Sequence, residues 1–304
     1  MNTTNSTLHH TFFPNLALKL VTSIFAIFGI PANLFVLILI SKNFLKRKPF
    51  EWLLFNLALI DFGQCTNNLF LQVPFIGAYD SVPCQASGYI QYVVGLQSFL
   101  VPPVIAYNRY LSLHNSHKCT LTFTRCKTAI MCICTWLLSA LLFLPFVLTD
   151  QLGEDDLGTC GLRKKMDGQA VTWPIAYTAM LTSIRVLIGS CYITLFLCSY
   201  KIVTILRNHT IQASPSVQSR LMDESKQLVT LTSLIFLIPF LTQSPAMTVK
   251  TALLYAPNTL SIDAWLGRAL IAPFALPAAI DPYMTLVIVK EYRRKVTACF
   301  KRQT

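Results

Sequence analysis

Seven long apolar stretches constrain this chain more than any other feature of its sequence. A helix needs about 20 apolar residues to cross a bilayer core of about 30 Å. The stretches lie at about 17–41, 52–76, 85–113, 128–149, 172–206, 227–255 and 266–289. Only 12% of the 304 residues are charged, against about 25% in soluble domains. The sequence therefore predicts an all-α, seven-transmembrane helix bundle, whose crossings we call spans one to seven.

The distribution of lysine and arginine predicts how this bundle is oriented, because cytoplasmic loops carry the excess of basic residues. Seventeen of these residues fall in the loops after spans one, three and five and in the C-terminal segment, and six fall on the opposite side. We therefore expect the N-terminus outside and the C-terminus in the cytoplasm. Residues 1–16 would form an extracellular tail, residues 17–289 the seven-transmembrane domain, and residues 290–304 a cytoplasmic tail.

Both predicted tails contain candidate modification sites. Asn2 and Asn5 each begin an Asn-x-Ser/Thr acceptor sequence on the outer side, where glycosylation takes place. In the other tail, three apolar residues recur every four positions, at Tyr292, Val296 and Phe300, which predicts a short amphipathic eighth helix along the membrane. Cys299 lies in that helix and is a candidate palmitoylation site.

Polar side chains at bilayer depth are candidates for function because burying them in lipid is costly. Asp61 lies near the middle of span two, Asp281 at similar depth in span seven, Asn33 in span one and Ser98 in span three. Two carboxylates that face one cavity favour a shared proton or a bound cation such as Na⁺. The alternative is a structural hydrogen-bond network that only joins the helices.

The length of span three predicts a disulfide at the outer surface. Cys84 begins this span and precedes Arg109, in the motif Asn108-Arg109-Tyr110, by 25 residues, or about 37 Å of helix. Cys84 therefore lies at the outer surface and Arg109 at the inner one. Cys160 is the only cysteine between spans four and five, which is also outside. Cysteines in an oxidising compartment pair, so we predict a Cys84–Cys160 disulfide; two free thiols are the alternative.

The ordered motifs resemble those of rhodopsin-like (class A) G-protein-coupled receptors across nearly the whole chain. The residues that carry the resemblance are Asn33, Asp61, Cys84, Asn108-Arg109-Tyr110, Trp136 and Asp281-Pro282. The inner motif looks like the family's D/E-R-Y, and Asp281-Pro282 looks like its NPxxY. The resemblance implies that Arg109 locks the inactive state and engages the G protein. It also implies that Asp61 and Ser98 occupy sodium-site positions and that the disulfide holds the outer loop over the pocket.

The chain departs from the family pattern at several positions. Asn108 replaces the usual acidic residue beside Arg109, so we expect a partner at the foot of span six, Asp223 or Glu224, with solvated charge as the alternative. Thr285 stands where the family has tyrosine, and span six lacks tryptophan. These loose motifs resemble those of nematode serpentine chemoreceptors.

The resemblance also suggests a ligand pocket in the outer halves of spans three, five, six and seven. The candidates are Gln91, Tyr92, Arg185, Gln243 and Trp173, with helix packing as their alternative role. Gln91 matches the position of the aspartate in amine receptors, and Ala275 matches the retinal-linking lysine of opsins. On that analogy a retinal Schiff base is excluded. A buried Arg185 suits an anionic or carbonyl-bearing ligand, unless it extends to the interface or pairs with a neighbour.

A membrane protein with these features could be a receptor, a transporter or channel, or an enzyme. The resemblance implies a plasma-membrane receptor that binds an extracellular ligand, a small chemosensory molecule or a peptide, and activates a heterotrimeric G protein. The alternative is a membrane transporter or cation channel that uses Asp61 and Asp281, although no inverted repeat is visible. A membrane enzyme is disfavoured because the sequence has no HExxH or GxSxG motif. The net charge of +12 sits mainly on the inner side, so it suits membrane lipids or an acidic partner rather than nucleic acid.

Overall fold

The computed structural model describes a helical chain with one short hairpin. It covers residues 4–42, 48–72, 82–154, 159–162, 175–212, 218–255, 266, 269–270, 272–289 and 292–294. Within these ranges the helices are α1 (Thr4–Ser41), α2 (Pro49–Asn67), α3 (Val82–His114), α4 (Ser116–Thr122), α5 (Arg125–Leu148), α6 (Ile175–Gln212), α7 (Gln218–Tyr255) and α8 (Leu276–Ile288). Strands β1 (Leu152–Glu154) and β2 (Cys160–Leu162) pair antiparallel between α5 and α6.

A helix occupies each of the seven predicted spans. Four helical segments are long and apolar enough to cross a membrane: Ala17–Ser41, Val82–His114, Arg125–Leu148 and Thr178–Asn208. Shorter apolar segments cover spans six and seven, at Ser233–Val249 and Ala272–Ile288. In span two, α2 continues into a π-helical turn, Asn68–Gln72. Helix α1 begins at Thr4, so it extends into the segment that was predicted as an outer tail.

Helix α3 occupies the centre of the bundle. It packs against α2, α5 and α6, while α8 packs against α1, α2 and α7. In the most apolar part of α3, 61% of the residues are buried inside the protein, against 17% in each of α5 and α6. The outer faces of α5 and α6 expose large apolar side chains, such as Leu141 and Phe196. Those faces suit contact with lipid, and the central position of α3 lets it join both ends of the bundle.

Several predicted features of the termini lie outside the described residues. Asn2 and Cys299 are among these, and so is the side chain of Asn5. Of the predicted amphipathic helix, only residues 292–294 are described, and they are helical. Glycosylation, palmitoylation and the full extent of this helix therefore stay predictions.

Candidate functional site

The buried polar residues of spans one, two and seven meet in the middle of the bundle. The Asn33 side-chain amide donates to the backbone oxygens of Gly29, at 3.0 Å, and of Ala278, at 2.8 Å, so it ties α1 to α8. Asp61 on α2 and Asp281 on α8 are 3% and 4% exposed. Their carboxyl groups lie near enough to interact electrostatically. The Oδ1 atom of Asp281 is buried and has no hydrogen-bond partner in the described part of the chain.

The structure shows no bond from Ser98 to Asn33, Asp61 or Asp281 among the described residues. Its hydroxyl donates to the backbone oxygen of Val94, at 3.2 Å, inside α3. The side chain is half-buried. The structure therefore brings Asn33 to α8 and Asp61 to Asp281, and it shows for Ser98 a bond within its own helix.

A row of buried amide side chains continues outward from Asp61 along α2, and it was not predicted from the sequence. Gln64 and Asn67 are buried one and two helical turns beyond Asp61. The Asn67 amide donates to Gln91 Oε1 at 3.2 Å and to the Ser87 backbone oxygen at 3.3 Å on α3. The signal was present in the sequence, because amide side chains recur three residues apart in an apolar run.

The outer end of α3 is closed by the predicted disulfide, which is confirmed. Cys84 and Cys160 are joined, with their Cα atoms 5.1 Å apart. Both are buried, so the bond fixes β2 against the start of α3. The hairpin sits close to the helix at Gly88, where a Cβ atom would lie 3.3 Å from the Gly161 nitrogen. A side chain at position 88 would therefore push the hairpin outward.

Two of the pocket candidates lie beneath this hairpin. The Tyr92 hydroxyl accepts from the Leu162 backbone N–H at 3.2 Å, and its ring stacks on Phe143 with centroids 5.2 Å apart. Gln91 is held by Asn67, as described above. The other candidates lie on different helices: Arg185 is half-buried on α6, and Gln243 is 1% exposed on α7. Trp173 lies outside the described residues.

At the inner end of α3, Arg109 rests on an aromatic ring rather than beside an acid of its own motif. Its Cζ atom lies 3.0 Å from the centroid of the Phe50 ring. Its Nε atom is buried and has no hydrogen-bond partner among the described residues. Among the described residues, Cys119, Tyr292 and Glu51 interact with the guanidinium electrostatically.

The two residues that flank Arg109 contact other elements. The Asn108 amide donates to Cys119 Sγ at 3.8 Å, and the Cys119 thiol donates to the Asn108 backbone oxygen at 3.6 Å. Asn108 is therefore engaged with α4. Tyr110 stacks on His114 with ring centroids 5.3 Å apart, and Lys201 Nζ lies 5.5 Å from the centroid of the Tyr110 ring. These contacts link α3 to α6 on the inner side.

Among the described residues, the acid that interacts with Arg109 is Glu51, in the first turn of α2. Asp223 and Glu224 were expected from the sequence to fill this role, and their side chains lie outside the described residues. In sequence, Glu51 looks like an ordinary carboxylate at a helix start, so only the folded chain reveals its position.

The Asp281-Pro282 motif lies in α8, with both residues buried. Thr285, at the position of the family's tyrosine, is also buried. The Tyr283 hydroxyl donates to the Phe28 backbone oxygen of α1 at 3.0 Å.

Trp136, the residue of span four that contributes to the family resemblance, also bonds to another helix. Trp136 on α5 donates from Nε1 to Asn56 Oδ1 on α2, at 2.8 Å. This bond holds α5 against α2.

Comparisons with known proteins agree with this geometry. The sequence model described as "7 transmembrane receptor (rhodopsin family)" matches residues 32–280. Cysteinyl leukotriene receptor 1 of Cavia porcellus is 21% identical over 95% of this chain and 86% of its own length. A Gq-coupled rhodopsin of Mizuhopecten yessoensis is 29% identical over 45% of this chain, and the chain spans only 30% of that protein. Among solved structures, squid rhodopsin matches with a TM-score of 0.77 at 17% identity, covering 94% of this chain and 85% of that one.

Proposed function

Because the chain belongs to the rhodopsin family of seven-transmembrane receptors, we propose that this multi-pass plasma-membrane protein binds an extracellular ligand and activates a heterotrimeric G protein. The observation that carries the proposal is the construction of α3. Its outer end is fixed to the hairpin by the Cys84–Cys160 disulfide. Its inner end presents Arg109, whose Nε has no hydrogen-bond partner in the described part of the chain. A single helix thus joins the ligand side to the G-protein side.

The mechanism follows from differential binding. A ligand shifts a conformational equilibrium only as far as it binds one arrangement of helices better than the other. Ligand contacts beneath the hairpin would favour an arrangement in which the inner end opens. Arg109, once released from the Phe50 ring, would present a planar array of donors suited to carbonyl and carboxylate groups of the G protein. No covalent step is required.

The polar groups at the outer end favour a particular ligand chemistry. Gln91 supplies an amide where a carboxylate would be needed to balance an ammonium group. Arg185 provides a cation on α6, and the buried Gln243 has an Oε1 atom with no hydrogen-bond partner among the described residues. This combination suits a neutral or anionic ligand with hydrogen-bonding groups, which includes small chemosensory molecules and peptides.

The core carboxylates support a bound Na⁺. Asp61 and Asp281 are both buried, and Asp281 Oδ1 has no hydrogen-bond partner in the described part of the chain. Oxygen atoms are the ligands that hard cations prefer, and a cation between the two groups would offset their mutual repulsion. Asp61 and Asp281 would hold the ion directly. Asn33 would position α8 through its bond to Ala278.

The test is nucleotide exchange with purified protein in lipid vesicles. Candidate ligands are screened against a panel of heterotrimeric G proteins, with binding of a non-hydrolysable GTP analogue as the readout. Arg109→Ala should abolish ligand-driven exchange. Arg125→Ala, which removes the same charge from an exposed position at the start of α5, should retain it. Intact exchange in Arg109→Ala would refute the role of this residue. Ion flux through the protein without any G protein would favour the transporter or channel alternative.

A further inference from the structure

The motif Asn108-Arg109-Tyr110 at the inner end of α3 contains no acidic residue to balance the charge of Arg109. Arg109 is a permanent cation, and a guanidinium removed from water needs a compensating charge or hydrogen bonds. Asn108 carries no charge, and its amide and carbonyl groups are engaged with Cys119. The Phe50 ring attracts the guanidinium through its quadrupole, but it brings no negative charge.

Among the described residues, three side chains interact electrostatically with Arg109, and one of them is a carboxylate. They are Cys119, Tyr292 and Glu51. Burial raises the pKa of the Cys119 thiol, and Arg109 lowers it by a smaller amount, so the thiol is neutral at physiological pH. Phenols titrate near pH 10. Among the described residues, the carboxylate that interacts with Arg109 is therefore that of Glu51.

The structure holds the Glu51 carboxylate in place at both oxygens. Oε2 accepts from the Lys48 backbone N–H at 3.0 Å, and Oε1 accepts from the Tyr292 hydroxyl at 3.4 Å. Tyr292 is 2% exposed, so its ring is buried beside α2. Glu51 follows Phe50 directly, so two successive residues of α2 supply the ring and the charge. An acid already restrained in this way loses little side-chain entropy when it pairs.

We propose that Glu51 is a positioning residue that restrains Arg109 in the resting receptor, with Tyr292 orienting its carboxylate. This inference rests on the proposed function. It places an acidic partner of Arg109 at the start of α2 and the hydroxyl that orients it on the segment after α8. Release of Arg109 then requires α3 to move relative to the start of α2.

The decisive variant is Glu51→Gln. Glutamine has the same shape, its oxygen can still accept from the Lys48 N–H, and its amino group can donate to the Tyr292 hydroxyl oxygen, so the change removes the charge while both contacts can persist. Wild type and variant are compared for ligand-independent binding of a non-hydrolysable GTP analogue, in vesicles with the G-protein panel. Basal exchange should rise roughly fivefold or more, the lower range of ordinary conformational coupling. Tyr292→Phe, which removes one hydroxyl, should raise it by a smaller factor.

A charge-matched control lies at the opposite end of the bundle. Asp150→Asn removes one negative charge from an exposed residue, preserves an acceptor for Gln85, and suits its positive φ of 55°. Basal exchange of this variant should equal that of the wild type. If Glu51→Gln behaves like Asp150→Asn, or if both raise exchange equally, the proposal is overturned.

A double-mutant cycle tests the proposed interaction between Glu51 and Arg109 without any G protein. The thermal unfolding midpoints of Glu51→Gln, Arg109→Gln and the double variant are measured in detergent. The fall in the double variant should be smaller than the sum of the two single falls by about 2 °C or more. Additive falls would mean that Glu51 serves only the start of α2. If neither wild type nor variants engage any G protein while the cycle is non-additive, the proposed function fails and the Glu51–Arg109 pairing stands.

Discussion

Gly29→Ala should destabilise the bundle, because Gly29 marks a close approach of α1 to α2 and α8. A Cβ atom at this position would lie 2.5 Å from Cys65 Sγ and 3.1 Å from the Ala279 Cα atom. Cys65 is 1% exposed and has little room to turn, and the Ala279 atom belongs to the backbone. Helix α1 would therefore have to shift outward, which stretches the bond from Asn33 to the Ala278 oxygen.

Three contributions set the expected change in the free energy of unfolding. The first two destabilise the protein and the third stabilises it. Overpacking a well-packed site costs about 1–3 kcal/mol. Loss of an interhelical hydrogen bond in a membrane protein costs about 0.6 kcal/mol. Replacing glycine by alanine inside a helix returns about 1 kcal/mol of helix propensity. The net loss is about 1.5 kcal/mol, equivalent to a fall of roughly 3–6 °C in the unfolding midpoint of a chain of this size.

The assay is thermal unfolding of the detergent-solubilised protein, followed by intrinsic tryptophan fluorescence. Gly189→Ala is the matched control, because nothing lies within 4 Å of a Cβ atom at that position in α6. It should leave the midpoint unchanged or raise it. Adding Cys65→Ala to Gly29→Ala should recover part of the loss, since it removes the sulfur but not the Ala279 backbone. Equal midpoints for Gly29→Ala and Gly189→Ala would refute the close approach of α1.

Two further predictions concern the disulfide and the core carboxylates. Cys84→Ser combined with Cys160→Ser removes a link across a sequence separation of 76. Chain entropy puts the stabilisation by this disulfide at up to about 4.5 kcal/mol, so the unfolding midpoint of the double variant should fall. Reducing agent should lower the wild-type midpoint in the same way, and a wild-type midpoint that does not respond to reductant would contradict the prediction. Replacing Na⁺ by N-methylglucamine should lower the wild-type midpoint while leaving that of Asp61→Asn unchanged, and an identical response of both proteins would exclude a Na⁺ site at Asp61.

The fold and the outer disulfide could be predicted because the bilayer leaves few alternatives. Each apolar run must cross as a helix, since the membrane offers no water to satisfy exposed backbone groups. Once the spans are placed, helical rise fixes the depth of every residue, and Cys84 and Arg109 fall at opposite surfaces. The pairing with Cys160 then follows from topology alone, and the structure contains it.

Side-chain partners across helices could not be predicted in the same way. Depth along a span says how far a residue lies from each surface, but not which face of the helix it occupies or which neighbour it meets. Glu51 and Tyr292 lie far apart in sequence, and only packing of the chain after α8 against α2 brings them together. The bond between Asn67 and Gln91 was missed for the same reason, although Gln91 was itself a pocket candidate.

Three hydrogen bonds between helices link the same elements of the folded chain. Tyr283 donates to the Phe28 oxygen on α1, and Asn33 of α1 donates to the Ala278 oxygen on α8. At the inner surface, Tyr292 donates to Glu51 at the start of α2. Three hydrogen bonds at different positions thus join α1 and α2 to α8 and the segment after it. Because several bonds in parallel resist sliding and tilting together, these elements behave as one unit. If Glu51 restrains Arg109 as proposed, a rearrangement that frees Arg109 must move α3 relative to this unit, and we therefore expect the charge on α2 to affect basal exchange.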